Sequence, residues 1–207
     1  MRVLHARLAM AALLSLSAAG CVTHTTVAAV DGKCLPAGRS LVVARFVTDE
    51  NRANAEAVAD LLVAALKGDG PVIGLREFRD EANASGFGVW AAVVSDRLQR
   101  GGGLTLEEGR TLAERFDIRT VVATELREYD QVWGKYAKFT RAAVGAQAVD
   151  VGSDQVLWRL KSDTEVEAMR GRAFRYAMEQ CVQELAGSIC PSKTKFSVTE
   201  TWRSFRR

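Results

Sequence analysis

The side chains able to carry chemistry are few, and their positions decide most of what this chain can do. The cysteines are Cys21, Cys34, Cys181 and Cys190, and the histidines are His5 and His24. Everything from residue 40 onward is therefore free of histidine. That argues at once against Ser-His-Asp, Cys-His and His-ligated metal chemistry. No C-x-x-C spacing occurs, so neither a zinc site nor a thioredoxin-type redox pair is nominated. Ser and Lys are common, but no spacing singles out a Ser-Lys arrangement. The acid pairs Glu107/Glu108 and Glu165/Glu167 have the composition of a general acid and base. Helix capping already accounts for the first pair, and neither has neighbours that would shift a pKa, so both read as solvated faces. The run Gly86-Phe87-Gly88-Val89-Trp90-Ala91 matches G-x-G-x-x-A, a dinucleotide signature only where it directly follows a strand. Here the polar stretch 76–85 precedes it, so it reads as the entry to a helix. Gly101-Gly102-Gly103 lacks a following Lys-Ser/Thr and reads as a helix end. No residue is nominated as catalytic, cofactor-binding or metal-ligating, and an enzyme is not expected.

Cys21 has the clearest chemistry. Arg2 and Arg7 form a basic head, residues 8–16 an apolar run, and Ser17-Ala18-Ala19-Gly20 a small-residue exit. This is the architecture of a secretory signal. Its apolar run falls short of the ~20 residues a membrane-spanning helix needs. A cysteine directly after the small residues marks a bacterial lipoprotein signal, with Ala18 where Leu is usual. Cleavage is then expected after Gly20, with acyl chains on the Cys21 thiol. Val22 follows the cysteine. An Asp there tends to retain a lipoprotein in the inner membrane, so its absence favours the outer one.

Charge and length limit the remainder. About 187 residues follow Gly20, enough for one domain with a sizeable core. Without Arg2 and Arg7 the balance falls from 28 basic against 25 acidic residues to 26 against 25. Near neutrality gives no electrostatic case for nucleic acid. In an oxidising periplasm two of the three later cysteines could pair. Cys34 and Cys190 flank the domain in loop-like sequence and are the expected pair, whereas Cys181 falls on a helix seam.

Residues 22–39 read as a Thr-, Ala- and Gly-rich tether. The run Ser40-Leu41-Val42-Val43-Ala44-Arg45-Phe46-Val47 predicts a buried strand. Asp49-Glu50-Asn51 predicts a helix start, and the helix runs to about Lys67 with Ala55, Val58, Leu62, Ala65 and Leu66 inward. A short strand at 71–75 is followed by a loop over 76–85. A helix over 89–99 places Trp90, Val93, Val94 and Leu98 on one face. Thr105 and Glu108 form a capping box, opening a helix that carries Leu106, Leu112, Ala113 and Phe116. Strands are expected over 120–124, 139–150 and 155–161, the last with Val156, Trp158 and Leu160 on one face. Gly152-Ser153-Asp154 makes the hairpin loop between the last two. A final helix is expected over 165–189, with Phe174, Met178, Cys181 and Leu185 as its seam. The fold class is α/β, a mixed sheet of about five strands covered by helices. The divisions are a signal at 1–20, a lipidated tether at 21–39, one domain at 40–190 and a tail at 191–207. In that tail Phe196, Trp202 and Phe205 alternate with Lys195, Arg203, Arg206 and Arg207. It reads either as a contact segment for an anionic surface or acidic partner or as a basic end without a role.

Three passages carry a family resemblance. Leu41-Val42-Val43-Ala44-Arg45-Phe46 followed by Asp49-Glu50-Asn51 is the opening strand and loop. Leu112-Ala113-Glu114-Arg115-Phe116-Asp117-Ile118-Arg119-Thr120-Val121-Val122-Ala123-Thr124 is the second passage. Val149-Asp150-Val151-Gly152-Ser153-Asp154-Gln155-Val156-Leu157-Trp158 is a hairpin and the most specific of the three. In kind and order they resemble the lipoproteins built on the CsgG/LpoB/TolB-N-terminal-like domain, over roughly residues 40–188. The resemblance implies a fold and a setting, with Trp158 as a packing anchor, but no catalytic site. Two features of relatives are not matched. The curli secretion channel adds long membrane-spanning hairpins, for which residues 126–150 give little room at ~9–11 residues per span. The cell-wall-synthase activator has a long Pro-rich linker, whereas this chain has 3 prolines in all.

The expectation is a lipoprotein held to the outer membrane through Cys21 and facing the periplasm. It would act without catalysis, binding or assembling cell-envelope proteins, and homo-oligomers are compatible with it. The alternative is one component of an oligomeric outer-membrane secretion channel.

Overall fold

The computed structural model describes residues 22–24, 35, 37–68, 70–133, 138–167 and 173–189. Cys21, Cys34, Cys190 and the tail lie outside them, as does the expected Cys34–Cys190 pairing. A short edge strand, β1 (Val22–His24), comes first, followed by β2 (Arg39–Arg45). A 3-10 turn at Asp49–Asn51 leads into helix α1 (Arg52–Leu66). Strand β3 (Val72–Gly74) and helices α2 (Leu75–Ala84), α3 (Gly88–Gln99) and α4 (Leu106–Phe116) complete the first half. The second half is β4 (Ile118–Trp133), β5 (Lys138–Asp150), β6 (Val156–Glu167) and α5 (Ala173–Ile189). The strands form one mixed sheet in the order β1-β6-β5-β4-β2-β3. β2 runs parallel to β3 and β4, and the remaining pairs are antiparallel. The expected α/β class holds, with five strands from the domain and a sixth, β1, from the stretch read as a tether. Val22 pairs with Glu165 and His24 with Asp163.

β2 is apolar on both faces because it is covered on both, as buried parallel strands are. Val42 and Ala44 face one core with α1 and α5; Leu41 and Val43 face a second core with α2, α3 and α4. The two cores differ in reach. The first extends across β5 and β6 to Ala142, Val144, Ala146, Trp158 and Leu160. The second holds residues of β2, β3 and the start of β4, with Val151 from the β5–β6 turn. Its helices leave the corresponding face of β6 to charged side chains, with Arg159 donating to Gln147 at 3.1 Å and Lys161 paired with Asp163 at 2.7 Å.

Trp158 is 4% exposed inside the first core, where the hairpin resemblance put it. A register shift between Ala148 and Val149 turns its expected companion Val156 outward, at 39% exposed. Helix α5 buries Met178, Cys181 and Leu185 as the seam predicts. Cys181 is a free thiol 3.5 Å from the Ala142 carbonyl, and burial pushes its pKa up.

Several expected boundaries move. The stretch 76–85, read as a loop, is helix α2. Only Phe78 and Ala82 of it are buried, so its i, i+4 signal is two residues long. On α3 the inner line is Ala91, Val94 and Leu98, and Val93 is 61% exposed. Leu106, the first residue of α4, is 72% exposed. The segment from Glu165 to Glu167 belongs to β6, and the last helix begins only at Ala173. β4 and β6 also run past the ends expected for them, whereas β5 ends at Asp150 as expected. β2 stops at the Arg45–Glu125 pair, yet β4 and β5 stay paired out to Trp133 and Lys138. The free part of β4 is thus residues 126–133.

The capping box is present. Thr105 Oγ1 accepts from the Glu108 N–H, and Glu108 Oε2 accepts from the Thr105 N–H at 2.8 Å. Glu108 also pairs with Arg97, tying the start of α4 to the end of α3. Thr105→Ala is expected to lose about 1 kcal/mol of stability, measurable by urea unfolding.

The edge of the second core is held by a bidentate pair. Arg39 Nη1 and Nη2 donate to Glu81 Oε1 and Oε2 at 3.0 and 2.8 Å, and Nη1 also donates to the Phe116 carbonyl at 3.2 Å. The hydrogen bond from Arg39 is the main reason the Glu81 carboxyl sits below its ordinary pKa. A depressed carboxyl contributes stability above its unfolded-state pKa, and that stability is lost as pH falls through the folded-state value. Because the pair is partly solvated, Glu81→Gln is expected to cost only about 0.2–1 kcal/mol at pH 7. The difference from the parent protein should shrink as pH falls below the ordinary carboxylate range, as followed by urea unfolding across an acid pH series.

Candidate functional site

In open α/β sheets a ligand crevice forms outside the carboxyl ends of strands whose connections leave in opposite directions. β2 ends at such a divergence, beside β4, which continues past it to Trp133. From β2 the chain passes through α1 to β3 on one side, whereas β4 turns back into β5 on the other. An open cleft of about 610 Å³ lies there. Arg45, Phe46 and Val47 enter it from the end of β2, and Glu125, Leu126 and Arg127 from β4. Asn51 and Ala55 line it at the start of α1, and Gln99, Arg100 and Gly101 at the end of α3.

Local structure explains how each side chain arrives. The Phe46 N–H donates to the Gln99 carbonyl at 3.0 Å, which clips the end of α3 to the exit of β2. Gly101 adopts φ +84° just after α3, a conformation favourable to glycine, and turns the chain away from the cleft. Phe46 is 7% exposed and carries the Arg52 guanidinium 5.4 Å from its ring centroid. The ladder between β4 and β5 shifts register between Leu126 and Glu128, leaving Arg127 as the extra residue of a bulge. Its Nε lies 3.0 Å from where a side-chain carbon on Gly145 would sit. Glycine at 145 is what lets this guanidinium lie against β5.

The polar groups are unequally satisfied. Arg127 Nε donates to Glu125 Oε2 at 3.2 Å, and Arg100 Nε donates to both oxygens of Asp96 at 3.2 Å. Arg45 has no ion-pair partner among the described residues, and its buried Nε has no hydrogen bond. Burial lowers the Arg45 pKa; Glu125 opposes that shift and Arg159 adds to it. The guanidinium nevertheless remains a cation and a donor without acceptor capacity. Gln99 is 1% exposed. Its Oε1 accepts from Arg79 Nη2 at 3.2 Å, while its Nε2 is buried without a partner. The unmet capacity of Arg45 and Gln99 thus consists of donors.

None of these residues was nominated by sequence. The available signal was slight: an arginine closing the apolar run of β2, and an Arg two places after Glu125. No group of three or more His, Cys, Asp or Glu that could hold a metal occurs among the described residues. The run at Gly86–Ala91 follows helix α2, where a loop was expected, and not a strand, and Gly86 takes φ +82° in the turn before α3.

No protein-family model matches the chain. No curated protein matches it in sequence. Among solved structures it is similar to a single-substitution variant of the PelC dodecamer from Paraburkholderia phytofirmans. That match is at 12% identity over 80% of this chain and 98% of the other, with a TM-score of 0.51. PelC itself from the same organism matches at 12% identity over 80% and 97%, with a TM-score of 0.50. Lipoprotein GNA1162 from Neisseria meningitidis matches at 14% identity over 72% and 98%, with a TM-score of 0.46. At such identities the likeness is one of backbone architecture, and what it establishes is that this chain folds as the PelC chain does.

Proposed function

We propose that this chain is a lipid-anchored lipoprotein of the CsgG/LpoB/TolB-N-terminal-like kind. It faces the periplasm from the outer membrane and acts as a non-catalytic binding and assembly factor for envelope proteins. The observation that carries the reading is the position of Cys21. The cysteine ending the signal stands one residue before β1, and β1 is the edge strand, paired with β6. One residue of chain spans at most ~3.6 Å, so acyl chains on Cys21 would hold the edge of the sheet close to the bilayer. Two acyl chains suffice for stable anchoring. No described helix is long and apolar enough to cross a membrane, which leaves the lipid as the anchor in this reading.

The alternative, a secretion-channel component, is favoured by the likeness to a protein that forms dodecamers. Against it, the free part of β4, residues 126–133, is shorter than the ~9–11 residues of a membrane-spanning strand. Assembly without a barrel accommodates both facts. Cys21→Ser is the test of the anchor. The variant is expected to move from the membrane pellet to the soluble fraction after high-salt washing, and continued sedimentation would overturn the reading. Sizing of the detergent-solubilised full chain separates monomer from ring.

A further inference from the structure

We propose that the cleft at the carboxyl end of β2, beside the middle of β4, binds a carboxylate-bearing peptide, with Arg45 pairing with the carboxylate and the Gln99 amide donating to a second acceptor on the same peptide. The proposal specifies a ligand class for the binding role argued above, but it rests on the cleft and not on the lipid anchor.

Three observations lead to it. The unmet polar capacity of Arg45 and Gln99 is all donor: the Arg45 guanidinium has no ion-pair partner, and Gln99 Nε2 is free while its Oε1 is held by Arg79. Buried donors without acceptors are unfavourable unless something supplies the acceptor, so the occupant must be rich in acceptors. A planar guanidinium takes a carboxylate with two parallel hydrogen bonds. The cleft is also far larger than a single ion, about 610 Å³ with Phe46 and Leu126 on its walls. One water takes roughly 30 Å³ of liquid, so the site has room for an apolar group beside the charge. Finally, Glu125 lies on the wall and is engaged by Arg127 at 3.2 Å. A carboxylate there repels a doubly charged phosphate more strongly than a singly charged carboxylate, and this selects between the two oxyanions.

The test uses the full chain in detergent and dansyl-Ala-Phe-Glu-amide, which carries a single carboxylate, as probe, read by fluorescence anisotropy. The acidic peptide is expected to bind at least tenfold more tightly than dansyl-Ala-Phe-Gln-amide. Arg45→Gln is expected to weaken the acidic peptide at least tenfold, with Arg45→Lys intermediate because it keeps the charge and loses the fork. Arg110→Gln, on the exposed side of α4, should change nothing. Thermal unfolding of Arg45→Gln should be no lower than that of the parent. Should that variant unfold, Gln99→Glu replaces the free donor with a carboxylate that Arg79 can still hold, and it is expected to abolish binding. Equal binding of the acidic and neutral peptides would overturn the proposal. So would displacement by inorganic phosphate at the same concentration as by unlabelled acetyl-Ala-Phe-Glu-amide, or unchanged binding in both variants. None of these outcomes bears on the partition of Cys21→Ser, so failure of this site and failure of the lipoprotein reading are separable.

Discussion

Phe116→Ala is expected to destabilise the domain by about 3–5 kcal/mol, the range for removing a buried aromatic. Phe116 is 3% exposed and central to the second core. Its ring meets Phe78 edge-on at 5.2 Å, meets Phe87 at 5.9 Å and stacks on Trp90 at 5.9 Å with 6° between planes. These contacts join α2, the α2–α3 turn and α3 to the end of α4, so truncation opens a void that three helices share. Their geometry is the edge-to-face and stacked kind that contributes beyond area alone, about 0.5–1.5 kcal/mol per pair. Total stabilities of domains are about 5–15 kcal/mol, so the loss is a large share of the whole. Urea unfolding followed by near-ultraviolet circular dichroism should show the midpoint fall and the Trp90 signal weaken. A loss under 1 kcal/mol would mean that the helices repack freely, and the described core would be wrong. Phe116→Leu should retain more than half of the lost stability, since it keeps most of the volume.

The second large effect is at Gly109. This residue is buried on α4, and a side-chain carbon there would be driven into the Val151 carbonyl of the β5–β6 turn. Two effects compete in Gly109→Ala. Alanine is the better helix former by about 1 kcal/mol. Forcing a methyl against backbone costs about 1–3 kcal/mol, and here neither wall can yield easily. The turn is fixed by Asp150, whose Oδ1 accepts from the Gly152 N–H, the Ser153 N–H and Ser153 Oγ at 3.0, 2.8 and 2.9 Å. Burial would raise the Asp150 pKa, but these bonds outweigh it and hold the carboxyl below its ordinary value. The steric term is therefore expected to win, and Gly109→Ala should unfold at lower urea. Gly68→Ala serves as the control. Nothing lies within 4 Å of a side-chain carbon at Gly68, so that change should be neutral or slightly stabilising. A Gly109→Ala protein more stable than its parent would show that α4 does not pack on the turn.

What the sequence revealed and what it hid follow from the range of the interactions involved. The strand 40–47, the capping box at Thr105, the turn at 152–154 and the seam of α5 were legible because each depends on residues within a few positions of one another. Helix α2 was not, because two apolar residues, Phe78 and Ala82, carry its whole inner face. On α3 apolar residues at both 93 and 94 left the inward line ambiguous by one residue, and tertiary packing chose Val94. Val156 fell on the wrong face because a register shift resets the alternation of a strand, and nothing in the sequence announces one. The cleft was the least legible element. It joins residues near 45, 51, 99 and 126, and its unpaired donors are visible only when every possible partner is in place.

The strand order also constrains how the molecule can be made. β2, at the centre of the parallel half, meets β4 in sequence some eighty residues later, as in the pairing of Val43 with Ala123. β1 waits longer still, until Glu165 exists. Topologies dominated by such distant pairings fold slowly, because loop closure must precede the contacts that reward it. An emerging chain therefore cannot complete its sheet until most of it has been synthesised. If the chain is exported as proposed, that delay would let it reach the translocation machinery before its core can close.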